Sequence, residues 1–384
     1  MHLQQLFYTF RWLMAIALLP LLSSCGGGGG ACTASSFAFG SVGGEICKSN
    51  QSSVSTIISG VASGGAPIIG TVEIIDKNGV LKGSFINDDG TYKVDVSGMT
   101  GPFIVKAHGT IAGVSVTYYS AGTQEDIGGT INVTPFTDLI LSNIAGRSIN
   151  VYLSDVSKIS LFASTLTPLK IRQTQDELFA IVRPILEQLQ VTEKVDFIRT
   201  VFKADYSGLN SLMYLVKVEY DPLTSLFALR NLITQVILTS IDVTKPFISV
   251  SIPQAYLTDY SRTTIADLQA IASVLSQLEN LFKSGLPTAE ALAKSGLFDT
   301  SDNFNKSNGR DRTFQQFAND LSSDTDLLDA VFGSWSLISF RPGNEATVKI
   351  RIVYKNKSTD NRESESIFFK KMGTNWLIVG TSSN

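Results

Sequence analysis

Histidine is almost missing from this 384-residue sequence, which contains only His2 and His108. A zinc site built from several imidazoles is therefore excluded, and any Ser-His-Asp triad would have to use His108. That residue lies in Phe103-Ile-Val-Lys-Ala-His108-Gly-Thr, an alternating stretch in which a partly exposed strand histidine is the favoured reading. Cysteine is nearly as scarce: Cys25, Cys32 and Cys47 are the complete set, and none forms a Cys-x-x-Cys pair suited to redox catalysis. Charge is sparse as well. At 17% charged residues and a net charge of −3, the chain carries no basic field for nucleic acid. Glycine-rich stretches such as Ser63-Gly-Gly-Ala lack the Lys-Ser/Thr of a phosphate loop. No catalytic group, metal site or cofactor site is assigned from the sequence.

What the sequence does have begins at its first residues. Arg11 is the one charged residue among residues 1–24, and Leu13-Met-Ala-Ile-Ala-Leu-Leu-Pro-Leu-Leu22 follows it. This apolar core is too short for a bilayer of ~30 Å and reads as a signal peptide. The run ends in Leu22-Ser23-Ser24-Cys25, which resembles the lipobox of bacterial lipoproteins. The resemblance implies cleavage before Cys25, diacylation of its thiol and acylation of the new amino terminus. Gly26 in place of Asp implies sorting to the outer membrane. An ordinary secretion signal with a chance cysteine is the alternative. The glycines of residues 26–30 would then act as a flexible tether within residues 25–53. Loss of Arg11 with the signal leaves 30 basic against 34 acidic residues. In an oxidising compartment Cys32 and Cys47 are expected to pair, contributing about 3 kcal/mol on the chain-entropy argument; two free thiols are the alternative.

From residue 54 to about 122 the hydrophobic period is two, with Val54, Ile57, Val61, Val72, Ile74, Tyr92, Val94 and Ile104 in short runs. Asp76-Lys-Asn-Gly79 and Asp88-Asp-Gly90 read as turns. Their oxygens, on Asp76, Asn78, Asp88 and Asp89, could also gather a calcium ion, but no EF-hand spacing is present and turn chemistry is favoured. Ser59-Gly60-Val-Ala-Ser-Gly-Gly-Ala-Pro67-Ile-Ile-Gly70-Thr-Val-Glu-Ile and Asn87-Asp-Asp-Gly90-Thr-Tyr92-Lys-Val94 resemble a carboxypeptidase-regulatory-like domain. The resemblance implies a transthyretin-like β-sandwich over residues 54–130, with Gly90 making a hairpin turn and Tyr92 plugging the sandwich. It implies no peptidase activity.

Asn132-Val-Thr134-Pro135-Phe136-Thr137-Asp138-Leu139-Ile140 resembles the junction between such sandwiches and a helical region in bacterial lipoproteins. Thr134 is expected to cap a helix that Pro135 opens, and packing is favoured for Asp138 over a role as catalytic acid. Residues 131–243 are expected to be mainly helical with one β-hairpin. Thr174-Gln-Asp-Glu177 reads as a capping box, and Leu178, Ile181, Val182, Ile185, Leu186 and Leu189 follow as a buried face containing Pro184. The hairpin is expected at Val216–Tyr220 and Ser225–Leu229, with a further strand at Leu232–Leu238. Pro246 and Pro253 mark a linker over residues 244–262.

Residues 263–384 open with helical spacing at Leu268, Ile271, Leu275, Leu278 and Phe282, and Gly285 and Pro287 stop that helix. Strands are expected at Trp335–Phe340, Ala346–Tyr354, Glu365–Lys370 and Asn375–Val379. This order, ending in Phe369-Lys-Lys-Met-Gly-Thr-Asn-Trp376-Leu-Ile-Val-Gly380, resembles the nuclear-transport-factor-type cone. Some cones are enzymes using His or Asp, and no matching His stands here. For Asp320, Asp324 and Asp326, in a polar connection rich in capping residues, solvated turns are favoured over a metal cluster. For Lys349, Arg351, Lys355, Lys357 and Arg362, a solvated sheet face is favoured over an anion site. The sequons at Asn50, Asn132, Asn305 and Asn356 carry no meaning in a bacterial lipoprotein. The fold class expected is thus α+β and multidomain: a sandwich, a helical region with a hairpin, and helices with a curled antiparallel sheet.

The function expected is non-enzymatic: an outer-membrane lipoprotein, facing the periplasm or the cell surface, that binds a protein, glycan or small ligand. Its alternative is a hydrolase or isomerase using carboxylates or Tyr354 in the C-terminal cone. Replacing Cys25 with Ala should move the protein from the detergent phase to the aqueous phase on temperature-induced partitioning. Unchanged partitioning would reject the lipid anchor.

Overall fold

The two-residue alternation after the tether builds β1 (Ile57–Val61), β2 (Ser63–Gly64), β3 (Ala66–Pro67), β4 (Ile69–Asp76), β5 (Leu81–Phe85), β6 (Thr91–Asp95), β7 (Phe103–Ile111) and β8 (Val114–Gly122). The computed structural model describes residues 55–257, 262–301, 304, 313–328, 330–354 and 362–383. Val54, the signal segment, the tether, Cys25, Cys32 and Cys47 lie outside the described residues, as do Lys355 and Lys357. Residues Ser53–Asn384 form one compact unit of mixed α/β class.

β5, β4, β7 and β8 form an antiparallel sheet in that order, and β1 pairs with β6. Val72, Ile74, Phe103, Val105 and Ala107 of the larger sheet are buried, together with Ile58, Tyr92 and Val94 of the smaller. The expected turns form, and their acidic residues organise backbone. The Asp76 carboxylate, fully buried, accepts the N–H groups of Asn78, Val80 and Thr100 at 2.8, 2.8 and 2.9 Å. Asp89 accepts the Thr91 N–H at 2.9 Å, beside Gly90 at φ +83°. Positive φ suits glycine because it has no Cβ to clash.

The chain leaves these sheets alongside β1. Ile131 donates its N–H to Ser59, and Val133 to Val61, at 2.7 and 2.9 Å, so residues 129–133 run parallel to β1. Contact is close enough that a Cβ on Gly60 would lie 1.9 Å from the Ile131 carbonyl oxygen. The Tyr92 hydroxyl donates to that same oxygen. Asn132, fully buried, receives the Val61 N–H at 3.2 Å and donates to the Thr200 carbonyl at 2.8 Å.

Helices follow: α1 (Pro135–Ala145), α2 (Ile149–Tyr152), α3 (Ser157–Thr165), α4 (Pro168–Gln188) and α5 (Gly208–Leu215). Thr134 caps α1 as expected, accepting the Thr137 N–H at 3.2 Å, with Pro135 at the first position. The capping box expected at Thr174–Glu177 does not form. Thr167 caps α4 instead, accepting the Lys170 N–H at 3.2 Å ahead of Pro168, and Thr174 is buried within the helix. Thr167-Pro168 is a complete start signal of its own, and no breaker separates it from the downstream stripe. Leu178, Ile181, Val182, Ile185, Leu186 and Leu189 are all buried.

β9 (Val216–Asp221) and β10 (Leu226–Asn231) form the expected hairpin. The third strand comes later than expected, as β11 (Ile237–Ile241). The Asn231 side chain accepts the N–H groups of Ile233 and Thr234 at 2.7 and 3.2 Å, curling the chain into a turn before it can extend. Just beyond, Asn143 of α1 donates to the Lys245 carbonyl at 2.7 Å and Phe247 is fully buried, so this part of the expected linker is fastened down.

The remaining elements are α6 (Arg262–Phe282), α7 (Ala289–Lys294), α8 (Phe314–Ser323), β12 (Ala330–Arg341), β13 (Glu345–Tyr354), β14 (Arg362–Met372) and β15 (Asn375–Ser383). The four strands make a curled antiparallel meander in chain order. Trp335, Leu337, Val348, Ile350, Ile367 and Ile378 are buried, as are Leu268, Ile271, Leu275, Leu278 and Phe282 of α6. A buried carboxylate pins helix to sheet: Asp267 accepts from the Gly343 N–H, Lys371 Nζ and Trp376 Nε1 at 2.7, 2.7 and 2.9 Å. Its negative charge is thereby paired and hydrogen-bonded, which burial requires.

Candidate functional site

The structure joins α1 to the four-stranded sheet through two consecutive side chains. β8 is an edge strand, so every second residue points its N–H and C=O away from β7. At Tyr119 both groups are met: the Asp138 carboxylate accepts its N–H at 3.0 Å, and the Thr137 hydroxyl donates to its carbonyl at 2.9 Å. Asn150 of α2 adds a hydrogen bond to Asp138 at 2.9 Å. Burial drives the Asp138 pKa up to about 8, against the hydrogen bonds from Tyr119 and Asn150 that favour its charge. The packing role favoured for Asp138 is the one observed.

Beside this junction lies a cleft of about 390 Å³, where three sheets meet. Val114, Val116 and Tyr118 supply one wall from a single face of β8, by the two-residue period of a strand. Met213 and Tyr214 of α5 and Val216 and Val218 of β9 form a second wall. Ser336, Ile338 and Lys349 form a third, from the face of the curled sheet opposite Trp335 and Ile350. Tyr214 is buried, its ring tilted against that of Trp335 with centroids 5.3 Å apart, and its hydroxyl has no hydrogen-bond partner of good geometry among the described residues. Burial holds the Tyr214 pKa far above its ordinary value.

The cleft is apolar within and charged at its rim. Lys217, Arg230 and Lys349 stand there with one carboxylate, Glu219. Arg230 Nε donates to Glu219 at 2.9 Å, and Lys217 Nζ lies 3.2 Å from it. Partial burial of Glu219, which alone would raise its pKa, is outweighed by these cations, and its pKa falls below the ordinary range. Lys349 makes no ion pair or side-chain hydrogen bond with the described residues.

The other singled-out residues fall elsewhere. His108 sits half-buried on β7, 3.2 Å from the Thr71 hydroxyl, as a strand histidine. Asp324 caps a short turn by accepting the Asp326 N–H at 3.0 Å. Arg351 departs from the solvated face expected of it: it is 4% exposed and donates to Thr110 at 2.8 Å, because the N-terminal sheet covers that part of the curled sheet. The side chains of Tyr354 and Arg362 lie outside the described residues. No group of three or more His, Cys, Asp or Glu among the described residues is placed to hold a metal. None of the described helices is long and apolar enough to cross a membrane. The cleft walls escaped sequence reasoning because they come from separate stretches near residues 114, 214 and 340, and no local motif joins them. Comparison of the chain with protein-family models, curated proteins and solved structures gives no match.

The raised Asp138 pKa makes a signed prediction. An acid that holds its proton more tightly in the folded state loses stability as pH rises from its unfolded value of 3.8 through about 8. The slope approaches ~1.4 kcal/mol per pH unit between those limits. Asp138→Asn keeps an oxygen acceptor without the charge. Urea unfolding should show the variant gaining stability relative to wild type from about pH 5 to 8; parallel profiles would contradict the assignment.

Proposed function

We propose that this chain is a non-enzymatic envelope lipoprotein that binds a small apolar-bodied ligand in the cleft between its sheets. The cleft carries the reading: its size lies in the range of about 300–1,000 Å³ usual for ligand sites, and its lining is mostly apolar with a small number of polar and charged side chains. The Leu22-Ser23-Ser24-Cys25 pattern supports an acyl anchor at Cys25 and an outer-membrane address. Cys32 and Cys47 would close a bridge within the tether.

The finer architecture belongs to the same proposal. Residues 54–130 are read as a carboxypeptidase-regulatory-like sandwich, supported by the buried Tyr92 and the left-handed Gly90. Residues 263–384 are read as a cone of the nuclear-transport-factor type, supported by the order of helices followed by a curled meander. The inner face of that meander is lined by Trp335, Leu337, Val348 and Ile350, and its buried Asp267 is already engaged by Lys371 and Trp376. An apolar interior with a neutralised carboxylate favours binding over carboxylate catalysis.

The test uses the full chain carrying Cys25→Ala, free of detergent, titrated with phenylnaphthylamine, a neutral fluorophore that brightens in apolar sites. Ser336→Trp would place an indole in the cleft from a partly exposed position. Binding by the parent and at least tenfold weaker binding by Ser336→Trp, with an unchanged melting temperature, is the expected result. Equal binding by the two would refute the cleft as the site.

A further inference from the structure

The rim charges narrow the ligand class, and this step rests on the cleft being the binding site. The protein as a whole is acidic, with net charge −3, yet the cleft rim gathers three cations and one carboxylate. Glu219 is shared between Arg230 and Lys217, so each of those two cations already has a carboxylate partner. Lys349 is different. It stands on the third wall, next to Ser336 across the β12–β13 pair, and makes no ion pair with any carboxylate among the described residues. A partly buried lysine lining a largely apolar cavity favours an anion that brings its own apolar body, because charge pairing strengthens as water is excluded. Cleft volume sets the other limit: about 390 Å³ lies near the low end of ligand sites and suits one slim chain better than a two-chain lipid.

We infer that the cleft binds the monomer of a single-chain amphiphilic carboxylate, the chain lying between β8, β9 and β12 and the head group pairing with Lys349. No bond is made or broken; the site holds the ligand by burial of its chain and by one charge-assisted hydrogen bond. Such a bond adds roughly tenfold or more to affinity when its partner is an unpaired ammonium.

Displacement of phenylnaphthylamine by dodecanoate and by dodecanol, both below their aggregation limits, tests this on the same full chain with Cys25→Ala. Dodecanoate should bind at least tenfold more tightly than dodecanol. Lys349→Met, which keeps an apolar stem, should remove that preference while dodecanol binding persists, and that persistence also reports a folded cleft. Equal binding of acid and alcohol by the parent would overturn the carboxylate inference and leave the cleft reading standing. A preference for the acid that survives Lys349→Met would overturn the role of Lys349. Binding of the fluorophore with displacement by neither ligand would overturn the amphiphile class, and failure of the fluorophore itself to bind would remove the cleft reading with it.

Discussion

Closure of one strand edge sets the arrangement of this protein. An exposed edge offers unpaired N–H and C=O groups that must find water, another chain or a cover. At Tyr119 of β8 the cover is internal, since Thr137 and Asp138 take both backbone groups at once. The two residues are adjacent at the start of α1, where the Thr134 cap and Pro135 have already fixed the backbone. One short segment therefore ends a sheet, starts a helix and fastens the second to the first. Keeping Asp138 buried raises its pKa, and the hydrogen bonds from Tyr119 and Asn150 meet only part of that cost.

The cleft follows from this placement. With α1 held on the edge of β8, Pro135 and Tyr118 both line the cavity. α5 passes directly into β9 at Leu215–Val216, so the second wall is a helix end continued by a strand. The curled sheet closes the third side by turning toward the N-terminal sheet the face it does not bury against α6, and Arg351 to Thr110 is the polar fastening there. The cavity is a consequence of three edges meeting at angles that side chains do not fill. Its rim charges then come from positions facing outward on their own strands.

Much of this was legible in the sequence where a signal was local. The period of two produced the strands, Thr134-Pro135 the start of α1, and the apolar stripe from Leu178 to Leu189 the buried face of α4. Misreadings arose where two local signals competed. Thr167-Pro168 and Thr174-Gln-Asp-Glu177 are both valid helix starts, and the upstream one prevails because nothing between them breaks the helix. The run Leu232–Leu238 is apolar enough for a strand, but Asn231 folds its first residues into a turn. Non-local facts left no trace. Arg351 alternates with apolar residues as a solvent-facing arginine would, and only the arrival of a distant sheet buries it. Thr137 and Asp138 read as helix residues; that they also serve the β8 edge depends on geometry no spacing encodes.

Amide hydrogen exchange at Tyr119 tests the edge closure most directly. The account predicts protection of the Tyr119 N–H similar to that of Val105 and Ala107 in the central strand β7, lowered selectively by Asp138→Ala. Exchange of the Tyr119 amide in the parent protein at the rate of an open strand edge would contradict it.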